Sequence, residues 1–302
     1  MILGVLGGSG LYDIDGLVDR RTAEVSTPFG APSGPLVSGR VQGGEGRLVF
    51  LPRHGAGHRF SPSEINYRAN IHALKAAGAT RVLSVSAVGS LREGMLPGDL
   101  VLVDQFIDKT FRRASTFFGD GVVGHVSFAE PTCPAFGAAV AAAAAEAGVP
   151  EAPAEARLAA RPAAGKRLHR GGTYVCMEGP QFSTRAESLL HRSWGADLIG
   201  MTAATEAKLC REAELCFAAL ALVTDYDAWH TEEAAVTAEA VLAVLAANVA
   251  GAKAIVRCLP PHAGRAAACG CATAAAHAIL TAPEAITPEA RQRLRALHGR
   301  ES

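Results

Sequence analysis

The segment CFAALALVTDYDAW, residues 216–229, is the part of the sequence around which the rest of the chain can be arranged. Its first eight residues, from Cys216 to Val223, are all apolar, which predicts a strand buried on both faces of a parallel sheet. Asp225 and Asp227 follow at the carboxyl end of that strand, where open α/β sheets bind their ligands. A solvated turn is the simpler alternative, because Asp and Tyr are common turn residues. We favour a ligand site, because a carboxylate at the mouth of an apolar strand can have a raised pKa and the flanking aromatic side chains can border a flat ring.

The composition describes one globular unit without a strongly charged surface. The chain has 302 residues, of which 49% are hydrophobic and 19% are charged, so it can bury a large core. Its 29 basic and 29 acidic residues give no net charge, which argues against a nucleic-acid or membrane partner. The start MILGVLGG lacks the basic region of a signal peptide and predicts a first strand, so we expect a cytoplasmic protein.

Seven cysteines are scattered along the chain without the pairing pattern of a disulfide framework. Most of them are expected to be buried, small hydrophobic residues. Cys269 and Cys271 are the exception, because a single glycine separates them and two thiols can meet across it. A zinc site would need two more ligands, for which Cys258 and His262 are weak candidates. We expect reduced thiols, with a redox-sensitive disulfide as the alternative.

Strand-like and helix-like segments alternate along the chain, which predicts an α/β fold with a sheet covered by helices. Three local predictions concern an irregular loop at 26–40, rich in Pro, Gly and Ser, a helix that begins at Ser61, and a helix of small residues from Cys269 to Leu280. A last, basic helix begins near Thr287, and its short basic face is expected to be solvated rather than to bind RNA.

Two further strand ends carry groups that suit an anion. After the first strand, the glycine-rich turn around Ser9 offers backbone amides and a hydroxyl. Asp13 stands where a dinucleotide-binding motif needs its third glycine, so that motif is excluded. Another strand is followed by Arg53 and His54, a guanidinium that can bind an oxyanion in bidentate fashion and an imidazole that can add a donor. A surface arginine with capping histidines is the alternative for this second segment.

Groups of this kind follow four separate strands, and the strand ends of one sheet meet at one crevice. The residues are Ser9, Arg53 with His54, Ser86 with Ala87, and Thr202 after Met201. Hydroxyls, backbone amides and an arginine describe a phosphate pocket that needs no metal. Phe182, on another loop, and the two aspartates describe a pocket for an aromatic base. Because no P-loop lysine accompanies these groups, phosphate is expected to be a reactant rather than part of a nucleotide triphosphate.

Seven segments of the chain together resemble one family. They are GGSGLY at 7–12, LPRHGAGHRFSPSEINYRANIHAL at 51–74, SAVGSLREGMLPGDLVLVDQFID at 86–108, HVSFAEPTCP at 125–134, MEGPQFSTRAE at 177–187, WGADLIGMT at 194–202 and TDYDAW at 224–229. In this order they are similar to the trimeric purine nucleoside phosphorylases, most closely to the branch that acts on methylthioadenosine. The resemblance implies a single α/β domain with a mixed, twisted central sheet flanked by helices. It covers residues 1–257 and leaves residues 258–302 as a helical extension packed on the same domain.

The resemblance also implies a role for each matching position. Phosphate would be bound by Ser9, Arg53, His54, Ser86, Ala87 and Thr202. Ribose and base would be bound by Met201, Phe182, Ser183, Asp225 and Asp227, and the 5′ substituent would be lined by Ala238 and Val241. His125 would reach the site of a neighbouring subunit in a homotrimer. Two positions depart from the family, because Ser9 stands where threonine is common and Thr205 stands where proline is common.

The implied reaction is phosphorolysis of the N-glycosidic bond of 5′-methylthioadenosine, with inorganic phosphate as co-substrate and with no cofactor or metal. Asp225 would be the catalytic acid that hydrogen-bonds or protonates nitrogen 7 of the leaving purine. Other purine nucleosides, among them adenosine, inosine, guanosine and methylthioinosine, are the alternative substrates. A nucleosidase that uses water and a nucleoside-binding module without activity are the less favoured alternatives.

Overall fold

The computed structural model of the chain describes residues 1–12, 14–158, 166–230 and 238–298. Within these ranges, eleven strands form one sheet and six α-helices accompany it. The strands are β1 Ile2–Gly7, β2 Leu17–Ala23, β3 Leu36–Val41, β4 Arg47–Pro52, β5 Arg81–Ser90, β6 Leu100–Val103, β7 Gln105–Asp108, β8 Leu168–Arg170, β9 Thr173–Cys176, β10 Leu198–Gly200 and β11 Cys216–Asp225. The helices are α1 Tyr67–Ala76, α2 Pro134–Glu146, α3 Arg185–Ser193, α4 Ala203–Glu212, α5 Ala238–Gly264 and α6 Pro288–His298.

The centre of the sheet is the parallel pair of ten-residue strands β5 and β11. Every residue of β11 from Cys216 to Thr224 is buried, which confirms the strand expected from its apolar run. The side chains alternate between the two faces of the sheet. Phe217 belongs to the hydrophobic cluster on one face, whereas Ala218 and Leu220 belong to the cluster on the other face.

Neighbouring strands make the sheet mixed. The order β4-β1-β5-β11 is parallel throughout, so these four strands end at the same edge. Antiparallel pairing joins β10 to the end of β5, β6 to β11, and β3 to β4. The mixed α/β sheet that the resemblance implied is therefore confirmed.

Helices cover both faces of this sheet. On one face, Leu74 of α1, Leu209 of α4 and Leu294 of α6 share one buried cluster. On the other face, α2 and α5 pack together and bury Phe136 and Ile255. The alanines of α2 explain this arrangement, because small side chains let two helices approach closely.

Three local predictions differ from the structure. The expected loop 26–40 contains the start of β3, which fills the position beside β4 in the sheet. The helix expected from Ser61 begins six residues later, with Asn66 as its N-cap, because Ser61 and Glu64 instead close a separate turn through their side chains. The helix expected from Cys269 to Leu280 is wrong, since only a 3₁₀ turn at Gly270–Thr273 forms there.

The C-terminal part continues the fold without a break in the main helix. The helix α5 runs through residue 258, the expected start of the extension, and ends at Gly264. Beyond it, α6 packs on α1 and buries Leu294 and Leu297. Of the helices that the structure describes, none has the length and hydropathy of a transmembrane span.

Candidate active site

The strand register brings the predicted residues to one edge of the sheet. Gly7, just before the Ser9 turn, lies opposite Pro52, just before Arg53. On the neighbouring strands, Ser86 pairs with Ala221, and the register then places Asp225 opposite Gly89. Because β4, β1, β5 and β11 are parallel, their carboxyl ends form a continuous rim, as the convergence of strand ends predicts.

Asp225 ends β11 in a pocket that favours its neutral form. Burial raises the pKa of this carboxyl, an effect that the hydrogen bonds from the Thr224 hydroxyl and the Asp227 backbone N–H oppose. The Thr224 oxygen lies 2.7 Å from Asp225 Oδ2 and 3.1 Å from the Val88 carbonyl oxygen. A hydroxyl has one hydrogen to donate, so a protonated Asp225 that donates to Thr224 lets Thr224 donate to Val88. Burial therefore favours the carboxylic acid over the carboxylate, and a ligand that receives its proton must replace the hydrogen bond to Thr224.

Asp227 lies beside it in an uncommon backbone conformation. Its φ is 51°, in the left-handed region, and it begins a 3₁₀ turn that ends at Trp229. Its Oδ2 is buried without a hydrogen-bond partner among the described residues. A buried acceptor without a donor is costly, so this oxygen is ready to accept from a ligand N–H group.

Gly89 makes room for both acids. A Cβ atom at this position would lie 3.0 Å from Asp225 Oδ1 and 3.1 Å from Asp227 Cβ. A larger residue would therefore push the carboxylates out of place. Nothing in the local sequence pattern singled out Gly89, because its role depends on the pairing of β5 with β11.

The aromatic residues after β11 hold the loop rather than offering a free ring face. Trp229 is buried, its Nε1 donates to the Ser90 carbonyl at 2.8 Å, and the Arg192 guanidinium carbon lies 3.4 Å from its ring centroid. Tyr226 donates to the Glu93 carbonyl oxygen and meets the Trp229 ring edge to face. The wall for a flat ring that we expected from Trp229 is thus covered by Arg192.

Arg53 lies at the rim but is already paired. It is buried, and its guanidinium forms a two-point ion pair with Glu206 of α4, with a second bond at 3.0 Å between Nη2 and Oε2. The same guanidinium donates to the Val85 carbonyl at 2.9 Å and to the Ser84 hydroxyl at 2.8 Å. An anion at this position must therefore share Arg53 with Glu206. Sequence reasoning missed Glu206, which stands 153 positions away.

His54 is neutral and presents an acceptor. Its pKa is lowered to about 4, first by burial and then by the charge of Arg53. Its Nδ1 lies 2.8 Å from the Phe60 carbonyl oxygen, and since a carbonyl only accepts, Nδ1 carries the proton. The remaining nitrogen, Nε2, is then a lone-pair acceptor rather than the donor we expected. It suits a protonated oxygen of a phosphate ion.

Thr202 and its neighbours contribute a helix N-terminus. Thr202 is buried and caps α4, but its side chain makes no capping hydrogen bond, so the hydroxyl is available to a ligand. Ser86 and Ala87 are partly exposed on β5. Ser9 has its backbone in a 3₁₀ turn, Ser9–Tyr12, and its side chain lies outside the described part of the chain.

The segment around Arg113 is a contribution that sequence reasoning missed. Arg113 donates to the Met201 carbonyl and, at 2.6 Å, to the Glu178 carbonyl. The Glu178 carboxylate in turn accepts from the Phe111 N–H at 2.7 Å and from the Ser63 hydroxyl. These bonds tie the loop before α3 to the position of Met201, so they fix the ribose side of the predicted site.

The remaining predicted residues have other contacts, are exposed, or have side chains that the structure does not describe. Ser183 donates to the Met177 sulfur at 3.8 Å, and Met177 packs against the cluster that contains Trp229. Phe182 is 45% exposed, and His125 is exposed as well. Among the contacts that the structure describes, none joins these two residues to the aspartates. Two further residues, Ala238 and Val241, are in α5, but their side chains lie outside the described part.

Comparison with known proteins agrees with this geometry. Residues 2–259 match the phosphorylase superfamily. The chain is 51% identical over 294 residues to the S-methyl-5'-thioadenosine phosphorylase of Geobacter sulfurreducens, which covers 97% of this chain and 96% of the relative. A solved methylthioadenosine phosphorylase from an Antarctic soil metagenomic library has a TM-score of 0.88 and 44% identity and covers 98% of both chains. The Schistosoma mansoni methylthioadenosine phosphorylase in complex with adenine has a TM-score of 0.81 and 38% identity, and covers 87% of this chain and 92% of that one.

Proposed function

Because this chain belongs to the phosphorylase superfamily, and within it to the S-methyl-5'-thioadenosine phosphorylases, we propose that its strand-end site carries out the phosphorolysis typical of that group. The reaction cleaves the N-glycosidic bond of 5′-methylthioadenosine with phosphate and yields adenine and 5-methylthioribose 1-phosphate, a purine-salvage step. The observation that carries the residue roles is the pair Asp225 and Asp227 at the end of β11, one with a raised pKa and the other with a buried acceptor that lacks a partner.

Asp225 supplies the acid for the leaving purine. As the glycosidic bond breaks, negative charge develops on the base, and a hydrogen bond or proton at nitrogen 7 neutralises it. A carboxyl group whose pKa is raised by burial keeps its proton to a higher pH than an exposed carboxyl does, which suits it to donate to the leaving base. General acid assistance of this kind is typically worth roughly 100- to 10,000-fold in rate.

Asp227 gives the site its preference for a 6-amino base. Its unpartnered Oδ2 can accept a hydrogen bond from an exocyclic amine. A 6-oxopurine presents an acceptor at the same place, which would leave two acceptors facing each other. Adenine bases are therefore preferred over hypoxanthine and guanine.

Phosphate is bound by the rim residues without a metal or cofactor. The N-terminus of α4 at Thr202, together with Ser9, Ser86 and Ala87, offers hydroxyl and amide donors, and helix N-termini attract anions. Arg53 adds positive charge that it shares with Glu206. His54 accepts from a protonated phosphate oxygen through Nε2. The phosphate oxygens that carry no proton then face the hydroxyl and amide donors. A phosphate held in this way can direct one of its oxygens at the anomeric carbon of the nucleoside.

The functional unit is a homotrimer, and it acts in the cytoplasm. The His125 segment is exposed and is tied to the C-terminal part by a bond from the His125 N–H to the Ala278 carbonyl at 2.8 Å. Large hydrophobic side chains are exposed on both sides of this contact, with Val123 54% and Leu280 68% exposed. Such a surface suits a subunit interface. From it, His125 can reach the nucleoside of the neighbouring site.

A substrate panel tests the proposed function. Initial rates are measured on methylthioadenosine, adenosine and methylthioinosine at equal phosphate. We expect methylthioadenosine to react faster than adenosine, because the resemblance implies an apolar 5′ pocket, in which a hydroxyl would have no hydrogen-bond partner. We also expect methylthioadenosine to react faster than methylthioinosine. This comparison tests the proposed preference of Asp227 for a 6-amino base. Equal rates on the two methylthio nucleosides would contradict the role of Asp227.

A further inference from the structure

Four cysteine side chains meet at the opposite end of β11 from the aspartates. They are Cys133, Cys216, Cys269 and Cys271, and their sulfur atoms all lie within 4.8 Å of one another. Cys216 Sγ and Cys269 Sγ are 3.4 Å apart. We call this group the thiol cluster. Three of its members are buried and Cys269 is exposed.

Backbone contacts hold the members of the cluster in place. Cys133, the N-cap of α2, donates its N–H to the Phe217 carbonyl at 2.8 Å, which fixes α2 to the start of β11. The Cys269 and Cys271 segment is held nearby, because the Ala275 N–H donates to a carboxylate oxygen of Glu214 at 3.2 Å. Three separate parts of the fold therefore present thiols to one point.

The spacing of the sulfur atoms matches a tetrahedral metal site. Zinc–thiolate bonds are about 2.3 Å long, so the sulfur atoms of a four-cysteine site are about 3.8 Å apart. The thiol cluster is close to that arrangement without a metal. The two other ligands considered from sequence lie elsewhere: Cys258 is outside the cluster, and His262 Nε2 is 2.7 Å from Glu146 Oε2.

The surroundings also suit a thiolate site. A cleft of about 470 Å³ opens beside Cys216 and Cys269, and Lys75, Arg81 and Glu214 are among the residues that line it. The cleft gives a metal ion access to the cluster from the side of Cys216 and Cys269. In a reducing environment, a set of four clustered cysteines is more often metal-binding than disulfide-bonded.

We propose that the thiol cluster binds one zinc ion per chain as a closed structural site that joins the C-terminal segment to α2 and β11. Binding releases the thiol protons to solvent and leaves no open position for substrate. Cys216 and Asp225 stand at opposite ends of a ten-residue strand, roughly 30 Å apart. The zinc therefore stabilises the fold and takes no part in the reaction. The proposed zinc site replaces our expectation from the sequence that the chain binds no metal. The zinc proposal does not depend on the proposed function.

Metal binding to the full-length protein tests the site. The protein is purified with a non-thiol reductant, stripped of metal, and titrated with ZnCl₂ and, separately, with CoCl₂. We expect one zinc per chain by mass spectrometry of the native protein, and a cobalt spectrum with the charge-transfer and visible bands of a tetrahedral four-thiolate site. Removing the metal should lower the Tm while the turnover number at room temperature stays the same.

Single serine variants assign the ligands. Cys271→Ser and Cys133→Ser should lose the four-thiolate cobalt spectrum, whereas Cys258→Ser, outside the cluster, should keep it. If the serine variants do not fold, the wild-type zinc count and cobalt spectrum still decide the question. Two outcomes would overturn the proposal. The first is a reduced wild-type protein that binds neither zinc nor cobalt. The second is a protein isolated without reductant in which the four thiols resist alkylation and the mass is lower by four hydrogens, because this result identifies two disulfides.

Discussion

At the scale of single residues, Asp225 combines a proposed catalytic role with a cost to stability. Burial raises the pKa of this group in the folded protein, so the fold binds its proton more tightly than the unfolded chain does. The stabilisation that follows is present below the unfolded pKa and is lost as pH rises through the folded pKa. Above its folded pKa, the buried carboxyl therefore lowers stability relative to an uncharged amide.

Asp225→Asn should separate these two effects. We expect the turnover number with methylthioadenosine to fall roughly 100- to 10,000-fold, while the Tm at pH 8 stays equal to or rises above that of the wild type. An amide fits the site, since it can donate to Thr224 and accept from the Asp227 N–H. Kinetics and thermal melts measure both quantities, with exposed Asp15→Asn as the control. A lower Tm together with full activity would contradict this role.

His54 should make stability depend on pH in the acid range. Its folded pKa of about 4 is below the ordinary value of 6.5, so protonation favours the unfolded chain. The free energy of unfolding should fall by about 2 kcal/mol between pH 7 and pH 5 because of this residue. His54→Asn keeps a donor for the Phe60 carbonyl and should remove that part of the pH dependence, whereas His277→Asn, on an exposed segment, should keep it. Denaturant titrations at the two pH values provide the measurement. Identical pH dependence in the two variants would contradict the assignment.

The residues at strand ends could be predicted, but their partners could not. Asp225, Asp227 and Arg53 follow apolar runs, and such runs locate strand ends from the sequence alone. The partner of Arg53 is Glu206, on a helix that follows much later in the chain, and no local pattern connects the two. The left-handed backbone of Asp227 is likewise set by tertiary contacts, because no glycine marks it.

At the scale of elements, the pair of Arg53 and Glu206 joins β4 to α4. Both side chains are buried, with 3% and 2% exposed, so neither charge can be solvated if its partner is removed. Glu206→Ala should lower the free energy of unfolding by about 3–5 kcal/mol. Glu155→Ala, on the exposed surface, should change it by less than about 0.5 kcal/mol. Chemical denaturation measures both variants, and a loss below about 1 kcal/mol for Glu206→Ala would show that the pair does not hold these elements together.

Long apolar or amphipathic strands and helices could be predicted from the sequence. Short elements could not, because tertiary contacts decide which structure they adopt. The Pro- and Gly-rich segment before residue 40 became β3 because β4 offers a free edge for pairing. The small residues after Cys269 carry no helical periodicity, and their positions follow the thiol cluster and Glu214 instead. Ser61 has the residue types of a helix start, but Asn66 provides the cap that is used.

At the scale of the whole molecule, alternating strands and helices predicted the α/β class but not the order of the sheet. The short strands β10 and β6 lie on either side of the central pair, and only the resemblance to a family implied a mixed sheet in which they pair antiparallel to it. The proposed assembly also belongs to this scale. In the single chain that the structure describes, His125 is exposed and does not contact the aspartates, so its proposed role needs a neighbouring subunit.

Hybrid trimers test the assembly directly. His125→Ala and Asp225→Asn should each be nearly inactive as pure proteins, and the wild type should sediment at about three times 31.2 kDa. If His125 acts on a neighbour's site, coexpression of the two variants should restore activity, because a mixed interface then pairs a native Asp225 with a native His125. Activity no greater than the sum of the pure variants, or a fully active monomer, would contradict the trimeric site.

The most direct measurement follows the sugar product by ³¹P NMR during cleavage of methylthioadenosine, with and without phosphate. With phosphate, we predict that adenine release is matched one for one by a new sugar 1-phosphate resonance. Without phosphate, cleavage should nearly stop. Adenine release at the full rate in phosphate-free buffer, with free methylthioribose as the product, would show that water is the nucleophile and that the rim of Arg53, His54 and Thr202 does not bind a reacting phosphate.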